Sequence, residues 1–193
     1  MQLLCDRILR DGKIKPGGIV KVDNFLNHQI DIELMDEIGA EFYRLFKDDG
    51  INKILTVEAS GIAVACMAAR YFRVPVLFAK KVQTSNIDDG IYAAEVESYT
   101  HGRTYIVRVA KDYLTPSDRV LILDDFLAHG NAAMGLMSLT RQAGAQVAGV
   151  GICIEKSFQR GGKLLRSMGI KLRSLAIVSL NDDGTVTLAN DTE

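Results

Sequence analysis

Val120-Leu121-Ile122-Leu123-Asp124-Asp125-Phe126-Leu127-Ala128-His129-Gly130-Asn131-Ala132-Ala133 is the stretch on which the reading of the fold turns. Four successive apolar residues without polar alternation read as a parallel strand buried on both faces. Two carboxylates follow at its carboxyl end, the edge at which open α/β sheets receive ligands. A turn of small residues then feeds a helix N-terminus, where unpaired backbone N–H groups and the positive end of the helix dipole favour a phosphate. Small Ala128, Gly130 and Ala132 let the backbone close on such a group without side-chain clash. Adjacent carboxylates repel, yet both can accept hydrogen bonds from neighbouring ribose hydroxyls beside that phosphate. A solvated Asp-Asp pair capping a loop would contain the same two residues. The order of strand, acid pair and small-residue turn is what points to a site.

Outward from this segment, strand-like and helix-like runs alternate, which predicts an α/β fold with a mostly parallel central sheet flanked by helices. Towards the N-terminus, Asp31 is placed to cap a helix in which Met35, Ile38, Phe42, Leu45 and Phe46 share a face, closed by Gly50. A strand over Lys53–Val57 leads through Glu58-Ala59-Ser60-Gly61 into a helix over Ile62–Tyr71, and Val74–Ala79 is the next strand. Lys81–Gly90 has no period and reads as a mobile loop. Ile91–Ser98 and Thr104–Ala110 read as arms of an antiparallel ribbon around Thr100-His101-Gly102. The central strand is expected over Val120–Leu123 and its helix over Asn131–Gln142, stopped by Gly144. Val147–Ile154, a helix over Gly162–Met168, Leu172–Val178 and Thr185–Leu188 follow, with Asp183-Gly184 as a turn. No internal repeat or interdomain linker is evident, so the 193 residues predict one domain.

Composition bounds the function. A formal net charge of -1 gives no global pull towards nucleic acid or an anionic membrane, so an anionic ligand must be held by local geometry. No apolar run reaches a membrane span, and the first residues read as an amphipathic helix rather than a signal peptide. Cys5, Cys66 and Cys153 are scattered; Cys66 and Cys153 lie in apolar runs and read as buried thiols of a reducing, cytoplasmic compartment. His28, His101 and His129 have no metal-ligand spacing, so no metal site is expected. Gly161-Gly162-Lys163 lacks the remainder of a P-loop, and no G-x-G-x-x-G fingerprint occurs.

The acid-pair segment resembles the phosphoribosyl pyrophosphate motif of the type I phosphoribosyltransferases, and the likeness extends through the chain. It is carried by Lys21–Asp31 (KVDNFLNHQID), Glu58–Ile62 (EASGI), Phe78–Lys81 (FAKK) and Gly151–Gln159 (GICIEKSFQ), in the family's order. The resemblance implies one domain with a small hood from about residues 1–30 and 156–193 and a lid over about 81–103. It assigns Asp124 and Asp125 to catalysis and Ala128, His129, Gly130, Asn131 and Ala132 to the phosphoribosyl group. Pyrophosphate falls to Ala59, Ser60, Gly61 and Lys81, and a purine pocket to Val20, Asn27 and Lys156. The chain departs from the family in its phosphate loop, where many members carry hydroxyl residues and paired glycines; backbone N–H groups must then do most of the binding. By residue type alone, Glu58–Gly61 could be a plain βα turn, Lys80-Lys81 a solvated pair, Asn27 a turn residue and Lys156 a solvated strand end.

The implied reaction joins a purine to ribose 5-phosphate, with Mg²⁺ carried by phosphoribosyl pyrophosphate, in a homodimer. Xanthine suits the pocket chemically. Its oxygens at C2 and C6 need donors where guanine's amine needs an acceptor; Lys156 offers only donors, and Asn27 offers an amide N–H. Donor against donor would leave buried groups unpaired, at about 1–3 kcal/mol each. Phe158 could stack on the base or be a core residue. Guanine, hypoxanthine or adenine is the alternative base. A non-catalytic regulator that binds phosphoribosyl pyrophosphate is the alternative class, although the chain has neither spare length nor a basic patch for DNA.

Overall fold

A computed structural model describes residues 1–15, 19–82, 89–98, 103–181 and 185–189. Among them are the helices α1 (Gln2–Asp11), α2 (Ile32–Phe46), α3 (Gly61–Phe72), α4 (Asn131–Gln142) and α5 (Gly161–Ser167). A two-stranded antiparallel pair, β1 (Lys13–Lys15) with β2 (Ile19–Lys21), precedes a wide π-type turn over Asp23–Asn27. The main sheet contains β3 (Lys53–Val57), β4 (Val76–Val82), β5 (Ile91–Ser98), β6 (Arg103–Ala110), β7 (Arg119–Leu127), β8 (Gln146–Lys156), β9 (Leu172–Leu180) and β10 (Val186–Ala189). Their order is β10-β9-β8-β7-β3-β4-β6-β5. The five central strands, β9 to β4 in that order, run parallel. β10 at one edge and the β5–β6 ribbon at the other pair antiparallel.

The mostly parallel α/β architecture expected from sequence is therefore present. Several strands run further than periodicity predicted. β7 continues through the acid pair to Leu127, so Asp124 and Asp125 lie within the strand, with Asp124 in register with Ile152 of β8. Burial explains the extension: parallel neighbours support the strand on both sides, and backbone pairing overrides the poor strand propensity of aspartate. β4 likewise reaches Val82, so Lys81 belongs to a strand. The polar stretch at 83–88, the ribbon tip at 99–102 and the Asp183-Gly184 turn lie outside the described residues.

The packing follows from sequence at named points. Asp31 caps α2, accepting from the Leu34 N–H at 3.1 Å. Met35, Ile38, Phe42 and Phe46 recur at helical spacing and are fully buried. Phe42 and Phe46 lie flush on β8 because Gly149 and Gly151 leave room; a Cβ on Gly151 would come within 2.7 Å of Phe42 and 2.6 Å of Leu123. Leu4, Ile8, Phe25 and Leu26 share this core with Leu175, Ala176 and Val178, joining the N-terminal segment to the C-terminal strands. A second core, with Leu136 and Leu139 of α4 and Leu165 of α5, packs against Leu55, Val120, Ile122 and Val150 of the sheet.

Cys66 departs from expectation. Cys5 and Cys153 are buried, but Cys66 is exposed. It sits on α3, whose Val64, Ala65 and Ala68 turn inward; an apolar run in a helix still has an outer face.

Chain direction places the site. From β3 the chain moves through α3 to β4 on one side of the sheet, whereas from β7 it moves through α4 to β8 on the other. The order reverses between β3 and β7, and the crevice outside their carboxyl ends is where such sheets bind ligands.

Candidate active site

The turn after β3 and the turn after β7 meet at this reversal. Gly61 begins α3 against the acid pair: a Cβ there would overlap Thr56 Oγ1 and stand 3.0 Å from Asp124 Oδ1. Ser60 Oγ donates to Asp125 Oδ1 at 3.0 Å. Asn27 Nδ2, arriving from the π-type turn, donates to Asp125 Oδ2 at 3.1 Å. Both oxygens of Asp125 are thus held by two other segments. Asp124 accepts from the Asp125 N–H at 3.0 Å. Burial, the charge of Asp125 and a hydrogen bond with it push the Asp124 carboxyl well above the ordinary aspartate range.

The loop after β7 turns its backbone N–H groups towards open space. Gly130 takes φ +88°, a left-handed conformation that favours glycine, and its carbonyl accepts from Met134 N–H at 2.9 Å to start α4. The first-turn N–H groups of Asn131, Ala132 and Ala133 have no acceptor within the helix and belong to residues that line a cleft of about 370 Å³. The Asn131 side chain is committed elsewhere, donating to the Glu97 carbonyl of β5 at 2.8 Å. The backbone N–H groups of this turn remain as donors towards the cleft.

The same cleft is lined by Asp124, Ala128, His129, Gly130, Asn131, Ala132 and Lys156. One carboxylate of the pair, the loop after β7 and the lysine at the end of β8 therefore share one hollow. Lys156 ends β8, half-buried, with its ammonium 5.6 Å from the centre of the Phe126 ring. Burial lowers its pKa. A second hollow is lined by Asp23, Asn27, His28, Ala59 and Ser60, two of which, Asn27 and Ser60, bond Asp125, the neighbour of Asp124 in the first. Lys81 packs its ammonium 5.3 Å from the centre of the Tyr105 ring, and its N–H donates to Glu58 Oε1 at 2.6 Å. Val20 is buried in β2. Phe158 is 37% exposed on the turn after β8 and does not line the cleft.

Sequence reasoning missed Phe126, Glu97, Tyr105 and Gln159, which also line the cleft. Phe126 was within reach, two residues beyond Asp124 on one strand. Glu97 and Tyr105 come from the ribbon, whose docking on α4 leaves no local mark in the sequence. Among the described residues no group of three His, Cys, Asp or Glu side chains could hold a metal ion, and no helix is long and apolar enough to cross a membrane.

Solved structures share this architecture. Adenine phosphoribosyltransferase from Rhodothermus marinus superposes with a TM-score of 0.72 at 22% identity, covering 93% of this chain and 100% of that one. The Trypanosoma brucei adenine enzyme, in complex with AMP, pyrophosphate and ribose-5-phosphate, gives 0.74 at 19%, covering 94% and 82%. At such identities the likeness speaks to the fold alone, which is that of the type I phosphoribosyltransferases. No family model matches the chain. Xanthine phosphoribosyltransferase of Lachnoclostridium phytofermentans is 59% identical over 99% of this chain and all of its own. That of Ruminiclostridium cellulolyticum is 52% identical over 97% and 98%. The chain belongs to the xanthine phosphoribosyltransferase family.

Proposed function

We propose that this cleft transfers ribose 5-phosphate from phosphoribosyl pyrophosphate to xanthine, giving XMP and pyrophosphate in purine salvage. One observation carries the reading: Asp124, the loop Ala128–Ala132 and Lys156 line a single hollow. The loop's N–H groups hold the 5-phosphate, and Asp124 and Asp125 orient the ribose hydroxyls beneath it. Departure of pyrophosphate builds positive charge on the ribose, as in other oxocarbenium-like reactions. The acid pair lies beside that charge, with Asp125 fixed by Ser60 and Asn27 before substrate arrives. Ala59, Ser60, Gly61 and Lys81 receive pyrophosphate.

Mg²⁺ travels with the diphosphate and neutralises its charge, taking most of its ligands from substrate and water. The described residues suit this arrangement: both oxygens of Asp125 are already occupied by protein donors, and of the acid pair only Asp124 lines the cleft.

Lys156 gives the base pocket a donor without an acceptor, which suits the xanthine oxygens and opposes the guanine amine. Val20 and Asn27 complete the pocket in this reading, with Asn27 reaching the base from the acid pair. The hood (1–30 with 156–193) closes over the base, and the lid (81–103) shields the reacting bond from water.

Pyrophosphate release with xanthine, guanine, hypoxanthine and adenine tests the assignment, the highest kcat/KM being expected for xanthine. Lys156→Ala should lower kcat/KM for xanthine at least tenfold, about 1.4 kcal/mol, with KM for phosphoribosyl pyrophosphate little changed. Binding of phosphoribosyl pyrophosphate without turnover of any base would make the chain a regulator. The homodimer and a cytoplasmic setting belong to the same reading. Light scattering should return twice 21.2 kDa, and a fluorescent fusion should fill the cell interior; a monomer or a membrane-bound fusion would reject them.

A further inference from the structure

Gly161-Gly162, which is not a P-loop, stands at the start of α5 directly behind the phosphate loop. The Gly161 N–H donates to the Ala128 carbonyl at 3.0 Å. A Cβ on Gly161 would lie 2.6 Å from that carbonyl oxygen and 2.8 Å from Gly130 N, and a Cβ on Gly130 would lie 3.2 Å from Gly161 Cα. The two backbones touch with no side chain between them. Gly162 faces the other way, where a Cβ would overlap the Glu155 carboxylate.

Glu155 is 3% exposed and would be costly to bury alone. Arg166, near the end of α5, forms a two-pronged pair with it, Nη1 to Oε1 at 2.7 Å and Nη2 to Oε2 at 2.9 Å. Ser174 Oγ of β9 adds a bond to Oε2 at 2.5 Å. The helix is thus bolted to β8 and β9 by a buried charge at one end and abuts the loop at the other.

We propose that α5 is a strut for the phosphate loop, with Gly161 and Arg166 as positioning residues for the phosphoribosyl group. The inference rests on reading Ala128–Ala132 as the 5-phosphate cradle. A cradle of backbone N–H groups has no long side chains to compensate for a shift, so its grip depends on what holds the backbone. Gly161 sets the height of the Ala128–Gly130 turn, and the Glu155–Arg166 pair keeps Gly161 from retreating.

The test compares Gly161→Ala, Arg166→Met and Arg166→Lys in the full chain. Calorimetric titration with ribose 5-phosphate requires no turnover, so it judges the strut even where the base assignment fails. Gly161→Ala is expected to weaken ribose 5-phosphate binding and raise KM for phosphoribosyl pyrophosphate about five- to tenfold, with KM for xanthine changed less than twofold. Arg166→Met should do the same, and Arg166→Lys, which keeps a cation on Glu155, should recover most of the loss. Circular dichroism selects the folded variants, and the proposal is judged on Gly161→Ala and Arg166→Met, with near-native binding expected for Arg166→Lys. Unchanged ribose 5-phosphate affinity in folded Gly161→Ala or Arg166→Met overturns the proposal, as does a loss in Arg166→Lys equal to that in Arg166→Met. Equal loss for sugar phosphate and base also overturns it, since that is general loosening.

Discussion

Asp125 has both oxygens engaged by Ser60 and Asn27, whereas Asp124 faces the cleft with a carboxyl whose pKa burial and its neighbour's charge have raised. The sign of the resulting pH dependence is fixed. Below about pH 3.9, the ordinary aspartate value, Asp124 is protonated folded or unfolded and contributes nothing. As pH rises from there through the raised folded value, the unfolded chain releases its proton first, and stability falls. Asp124→Asn keeps an acceptor for the Asp125 N–H without the charge. It is expected to exceed the native chain in stability at pH 7 by urea unfolding, the gain shrinking towards pH 4, while phosphoribosyl transfer drops. A native chain as stable as the variant at pH 7 would contradict this. The acid pair was legible because strand, acids and small turn are contiguous. The bond from Asn27 to Asp125 crosses 98 residues of sequence, and no local pattern encodes it. Cys66 misled because a run of apolar residues does not say which way a helix turns.

At the scale of elements, α2 on β8 shows how closely the pieces fit. Its cap at Asp31 and its apolar stripe were readable in advance, since both depend on spacing within one helix. The glycines at 149 and 151 were not readable as packing sites, because their meaning lies in Phe42 and Phe46, a hundred residues away. Gly151→Ala should push against Leu123 and Phe42 from 2.6 and 2.7 Å, an overpacking cost of about 1–3 kcal/mol. Equilibrium urea unfolding reads it, and pairing the change with Phe42→Leu should recover part of the loss. No loss in the single variant would mean that the core is slacker than described. Strand limits were underread wherever polar residues stand at the carboxyl ends of strands. Polar residues there break the apolar run from which a strand is read, and neighbouring strands keep them extended.

For the molecule as a whole, alternation of strand and helix announced the fold class, but strand order did not. The reversal between β3 and β7 explains why two loops distant in sequence come together at the acid pair. Ligand occupying the crevice there should stabilise all 193 residues through mass action. Phosphoribosyl pyrophosphate with Mg²⁺ at about 100 times its Kd contributes about 2.7 kcal/mol. At about 2–4 °C per kcal/mol for chains of this length, Tm should rise by roughly 5–10 °C, as read by calorimetry. An unmoved Tm under saturating ligand would argue against the crevice. At the far rim of the sheet, Asn131 takes the Glu97 carbonyl and Gln142 takes that of Ala93, both on β5. The outermost strand thereby presents fewer free acceptors to a passing chain, and a protein so hemmed is a poor template for fibre growth when concentrated.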